Sequence, residues 1–228
     1  MGYRDGTIVL DPETATAEEI ERTLRGVSEG IGPDINKGIT VEDTSQPKNT
    51  NLNRYNTIYG HDKYRHLLPK GREITNMTIK EIYDLQNKLR KATQNESLTT
   101  TAVGGSQFVQ ETLRDLLSRN NNITEDMLFT PDIQNQLTEQ IFKEEKVYDF
   151  IENPNKKGQN LSSIQSNLAG RFASLPTKNN TSRYKGQEAA ISSKEFRNFL
   201  LQVQKLGVEK GIPLLIDKII ETETSLRN

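Results

Sequence analysis

Glu29 and the stretch Thr99–Glu111 are the places in this chain where chemistry is easiest to build. Glu29 stands at the end of an amphipathic helix pattern. Gly30 follows, suited to the position just past a helix, and a Gly/Pro-rich loop lies beyond it. A carboxylate at a helix C-terminus faces the negative end of the helix dipole. If it is also partly buried its pKa rises, and a raised pKa is what a general acid needs at neutral pH. The other reading is a frayed last-turn glutamate, and on local features the two are even. In Thr99–Glu111 a threonine run ends in Gly104-Gly105, then Ser106-Gln107, and an apolar helix pattern begins. Paired glycines let a backbone come close to something and take angles other residues avoid. That suits the wall of a cleft, but on these residues alone an ordinary interhelical turn is the favoured reading.

Other chemistries are narrowed by composition. The 228 residues include no cysteine, so disulfides and thiolate metal sites are excluded. His61 and His66 are the only histidines, which leaves no multi-histidine metal site, and no cofactor or metal is expected. The net charge of −1 offers no broad positive field for nucleic acid. No run reaches membrane-spanning length, and the first residues carry no apolar signal-peptide core. Carboxylates remain. Glu18, Glu21, Glu144 and Glu145 fall on polar helix faces and read as solvated charges.

The elements that would position these residues are mostly helical. Hydrophobic residues make up only 32% of the chain, but Leu and Ile recur at helical spacing, so a modest core with long polar edges is expected. Thr7–Leu10 is a short β-like run within an extended lead-in, residues 1–15, suited to adding to a partner's sheet. Thr16 and Glu19 form a capping box for a helix carrying Ile20, Leu24 and Val27 up to Glu29. Residues 30–54 have no periodicity. Arg54–Gly60 alternates like a strand. Thr78 with Glu81 caps a helix running to about Ala92. Phe108, Val109, Leu113, Leu116 and Leu117 mark another, ended by Asn120-Asn121-Asn122. Thr130-Pro131-Asp132 opens a third, with Ile133, Leu137 and Ile141 one turn apart. Ile164, Leu168 and Phe172 mark a helix that Pro176 should stop. Ser192 with Glu195 caps the next, and Gly211-Ile212-Pro213 is expected to open the last. The expected class is mainly α (α+β), with six or seven helices and a small β element near 55–60.

In this order the pieces resemble the phage lambda-type lysozymes, lytic transglycosylases with a lysozyme-like fold. Ser28-Glu29-Gly30 is similar to the Ser-Glu-Gly that carries the catalytic acid there. Tyr55-Asn56-Thr57-Ile58-Tyr59-Gly60 resembles the strand that follows. Met77–Ile82 resembles a helix start of related phage muramidases. Val103-Gly104-Gly105-Ser106-Gln107-Phe108 matches the family's Ala-Gly-Arg-Tyr-Gln-Leu/Phe in its first Gly and its Gln. Phe129–Asn135 resembles Phe-Ser/Thr-Pro-x-x-Gln-Asp, and Ala173-Ser174-Leu175-Pro176 and Arg183-Tyr184 stand where the family has equivalents. Each motif is short, but several in the family's order at compatible spacing are hard to obtain by chance. The resemblance spans roughly residues 17–205. It departs at Gly105-Ser106, where the family has Arg-Tyr, so an aromatic and a cation are missing from that wall.

The resemblance implies a lysozyme-like catalytic domain over 16–206, with 207–228 as a C-terminal helix or appendage. It implies that Glu29 protonates the glycosidic oxygen between N-acetylmuramic acid and N-acetylglucosamine. The same carboxylate then draws the proton from the C6 hydroxyl and a 1,6-anhydro ring closes. Gln107 would hydrogen-bond the sugar, with Ser106, Gly104 and Gly105 beside it, and Tyr55 and Tyr59 would offer flat faces to sugar rings, though packing is the commoner role for such tyrosines. The implied partner is a peptidoglycan glycan strand, with other virion proteins bound through the termini. The implied location is a phage virion, or a host cytoplasm from which it acts on the wall. A muramidase that hydrolyses the same bond in inverting fashion would need a second acid about 6.5–9.5 Å away. Asp34, Glu42 and Asp43 are nearest in sequence, and none has the setting of a positioned base. A structural virion protein with a degenerate lysozyme-like domain is the competing class.

Overall fold

The computed structural model describes residues 2–4, 7–9, 50–60, 62–154, 160–184 and 187–225. Glu29, the helix expected before it, the loop 30–49 and His61 lie outside the described residues. The chain divides into two units, residues 1–48 and residues 49–228. In the first, β1 (Gly2–Arg4) and β2 (Thr7–Val9) pair antiparallel, with Tyr3 opposite Ile8. The β-like run at residue 7 thus pairs within its own chain.

The second unit is helical: α1 (Thr50–Tyr55), α2 (Asp62–Arg65), a 3₁₀ turn at Ile74–Asn76, α3 (Ile79–Thr93), α4 (Gln110–Ser118), α5 (Pro131–Glu144), α6 (Val147–Glu152), α7 (Leu161–Ala169) and α8 (Ser193–Ser225). Among the described residues no helix is long and apolar enough to cross a membrane. The mainly helical class holds. The β element expected near 55–60 is not shown: Tyr55 ends α1, and Ile58 makes one isolated bridge to Val103. A run as short as Arg54–Gly60 does not distinguish a helix end followed by a bridge from a strand.

Helix starts lie where local chemistry puts them. The Thr78 hydroxyl accepts the Glu81 N–H, and the Glu81 carboxylate accepts the Thr78 N–H in return. That reciprocal pair, with Arg72 added, holds the Glu81 carboxyl below its usual range. Replacing Thr78 with alanine should cost about 1 kcal/mol, read as a lower urea midpoint at unchanged slope. Thr130 accepts the Ile133 N–H ahead of Pro131, and Ser192 and Glu195 exchange the same pair of bonds before α8.

One hub is α5, which packs against α1, α4, α6 and α8, the last of which also packs against α1, α6 and α7. Its buried face carries Gln134, Leu137, Thr138, Ile141 and Phe142. Around it stand Leu113 and Leu116 of α4, Phe150 of α6, and Leu215, Ile219 and Ile220 of α8, all buried in one core. Phe142 meets Phe172 edge to face, 6.4 Å between centroids, which ties the segment after α7 to the hub.

Two breaks differ from expectation. Lys146 takes a left-handed conformation (φ 65°) and separates α5 from α6, a helix the sequence reading does not contain. The last helix does not open at Gly211. α8 is two helices joined at Gly207 (φ 74°, ψ −179°), and the second runs through Gly211 and Pro213. Gly211 is needed for a different reason: a Cβ there would lie 2.5 Å from the Val203 carbonyl oxygen. The segment 207–225 belongs to the same core as the rest of this unit.

A polar cavity as the candidate functional site

Thr99–Glu111 folds back on itself between α3 and α4. Val103 and Phe108 exchange backbone bonds, Phe108 N–H to Val103 O at 2.8 Å and the reverse at 3.2 Å. The turn between them requires Gly104 at φ 79° and forces Gln107 to φ 51°. Few non-glycine residues sit there, so Gln107 is held against its preference. The holding groups are buried amides. Gln86 Nε2 donates to Thr101 O (3.0 Å) and Phe108 O (2.9 Å), binding both limbs of the turn to α3. Gln134 of α5 sits beneath: its Oε1 accepts the Gly105 N–H at 2.9 Å, and its Nε2 donates to Phe129 O and Tyr55 O.

One side of this turn lines a cavity of about 390 Å³, within the size range of ligand pockets. Thr101, Ser106, Gln107 and Phe108 form one wall, and Phe172, Ala173, Tyr184 and Glu223 contribute to the rest. Glu223 is 2% exposed, and its Oε1 accepts the Ser174 N–H at 3.0 Å. The neighbouring Ser174 hydroxyl donates to Thr222 Oγ1 at 2.9 Å. Tyr184 donates its phenol to Gly170 O; burial, reinforced by the charge of Glu223, pushes that phenol up. Two guanidinium groups reach the cavity, and both are matched. Arg90 pairs with Glu111, and Arg171 pairs with Glu145 and Glu144. Burial alone would lower Arg171, but Glu145 and Glu144 outweigh it and hold the guanidinium above its ordinary value. Likewise burial would raise Glu111, but a backbone bond and Arg90 hold it below the usual range. Glu144 and Glu145 are therefore half-buried supports of Arg171, a correction to their reading as solvated charges.

The expected site residues separate. Ser106 and Gln107 line the cavity, although the Ser106 hydroxyl is engaged with Thr138 (2.9 Å) and the Gln107 Nε2 with Gly104 O (2.7 Å). Gln107 Oε1 is buried with no partner among the described residues, and the side chain is only 7% exposed. Gly104 and Gly105 face inward, Gly104 toward Gln134 and Gly105 within 3.1–3.3 Å of Ile220 as a Cβ would see it. Tyr55 is buried and donates to Asn135 Oδ1 at 3.0 Å. Tyr59 stacks on Tyr64, centroids 6.4 Å apart. Neither tyrosine lines this cavity. The residue that the sequence reading missed is Glu223. Its signal was present: it continues the stripe Ile212, Leu215, Ile216, Ile219, Ile220 one turn further, placing a carboxylate on an apolar face. Among the described residues no cluster of His, Asp or Glu is placed to hold a metal ion. Compared with known families, curated proteins and solved structures, the chain matches none of them.

Proposed function

We propose that this chain is a peptidoglycan-degrading lytic transglycosylase that cuts between N-acetylmuramic acid and N-acetylglucosamine, with Glu29 as its single acid and base. The observation that carries the proposal is the cavity walled by Thr101–Phe108, where hydroxyls and a side-chain amide stand among the apolar faces of Phe108, Phe172 and Tyr184. Sugars need that mixture, apolar surface for the ring and fixed polar groups for the hydroxyls and acetamide. Protonated Glu29 gives its proton to the glycosidic oxygen, and positive charge builds on the muramic sugar. The resulting carboxylate takes the proton of the C6 hydroxyl, whose oxygen closes on C1 to give the anhydro ring. No water adds, so no second carboxylate is required.

Hydrolysis of the same bond is the second reading, and Glu223 is the observation that favours it, being a carboxylate in the cavity. Its Oε1 is held by the Ser174 N–H and it is almost wholly buried, a setting better suited to binding than to delivering water. A structural phage virion protein with a degenerate lysozyme-like domain is the third. Digestion of purified sacculi separates them by mass spectrometry. Anhydro-muramic ends are expected; reducing ends would mean hydrolysis, and no released muropeptide would overturn the enzymatic reading.

A further inference from the structure

We infer that Gly207 is a hinge at which α8 straightens and passes its second half, residues 208–225, to a second copy of this chain. Within Ser193–Ser225, Gly207 alone has non-helical angles (φ 74°, ψ −179°). That combination belongs to a region that only glycine enters freely. The fold-back it makes is sharp. A Cβ on Gly211 would lie 2.5 Å from the Val203 carbonyl oxygen, although the two residues would stand about 12 Å apart along a straight helix. Rotation at one residue therefore separates a folded-back pair of helices from one continuous helix of about 50 Å. Little holds the hinge itself. Nothing lies within 4 Å of the Gly207 Cβ position, and none of residues 204–210 is buried. Pro213 lacks the N–H that would bond residue 209 in either form, so it does not choose between them.

The second half of α8 needs a new place once it swings out. Ile212, Leu215, Ile216, Ile219 and Ile220 are all buried, and together they would face water. The place they leave is shaped for them, with Gly105 fitted against Ile220 and the Ser174 hydroxyl bonded to Thr222. The surface that matches both features is the same place in another copy. Reciprocal exchange restores the core contacts of this segment and changes only the hinge, which is why short, strained connections favour it. In the exchanged pair each cavity receives Glu223 from the other copy, so each site is completed by its partner. The exchange does not depend on what the cavity binds.

The test is oligomeric state, read by size exclusion with light scattering on the full chain refolded at high concentration. The wild type should give a minor dimer beside the monomer. Gly207→Ala should raise the association constant about 100-fold or more, because alanine strains the folded-back form and favours the straight helix in both copies. Gly71→Ala changes an exposed glycine of nearly the same φ, 73°, away from the hinge, and should keep the wild-type proportion. The chain has no cysteine, so the exchanged contact can be trapped directly. Ser174→Cys and Thr222→Cys are made in separate chains with the native hinge and refolded together. They should join in a disulfide between copies, since the two hydroxyl oxygens they replace lie 2.9 Å apart. Either variant refolded alone should stay unlinked. A wild-type proportion of dimer in Gly207→Ala, an equal rise in Gly71→Ala, or no link specific to the mixed chains would overturn the proposal. If Gly207→Ala fails to fold, the mixed chains decide alone.

Discussion

Replacing Gly104 with alanine is expected to destabilise the chain by about 3 kcal/mol. Two separate effects add. A non-glycine residue at φ 79° carries about 1–3 kcal/mol of backbone strain. The new Cβ would also lie 2.6 Å from Gln134 Oε1 and 3.0 Å from the Phe129 ring. Gln134 would have to leave the Gly105 N–H, and a buried donor without a partner costs about 1–3 kcal/mol more. In a domain of this size each kcal/mol lowers the melting temperature by about 2–4 °C, so a fall of roughly 6–12 °C is expected. Gly71 is the comparison. It has nearly the same φ, 73°, and nothing within 4 Å of its Cβ position, so Gly71→Ala should show the strain alone. Equal losses in the two variants would mean that Gln134 does not hold the turn as described.

The second large effect is on activity. Glu29→Gln should lower the rate of peptidoglycan clearing by about 10²–10⁴-fold, the usual contribution of a positioned acid or base, while the melting temperature stays where it was. Glutamine keeps the size and polarity of the side chain and cannot give up or take a proton. Clearing at the wild-type rate by this variant would remove Glu29 from the reaction. A loss of activity together with a loss of folding would point to a structural place for the residue.

How much of this was legible in the sequence depends on the range of each interaction. Helix starts at Thr78, Thr130 and Ser192 were readable because a capping bond joins residues three apart, and spacing alone reveals it. The end of α5 was not. Lys146 takes a left-handed angle with no glycine or asparagine to announce it, and nothing local distinguishes it from the lysines that continue helices. Gly207 and Gly211 show the converse difficulty. Both are glycines, but one turns the chain and the other makes room for Val203, and only the tertiary approach tells them apart. In the cavity wall the need for glycine at 104 could be read, but not the direction it faces. Gly104 and Gly105 turn inward to α5 and α8, while Ser106 and Gln107, the next two residues of the turn, line the cavity. Glu223 comes from more than a hundred residues away, brought there by the packing of Ile219 and Ile220. A carboxylate on an apolar stripe is a visible anomaly, but its meaning depends on the Ser174 N–H that it accepts across the fold.

The central claim is that the cavity between the Thr101–Phe108 turn and the Ala173–Ser174 segment receives a glycan. Amide chemical-shift mapping with the N-acetylglucosamine trimer tests it most directly. The shifts should concentrate on Thr101–Phe108, Phe172–Ser174, Tyr184 and Thr222–Glu223. Shifts confined to another surface, such as the Arg65–Glu73 loop, would contradict it.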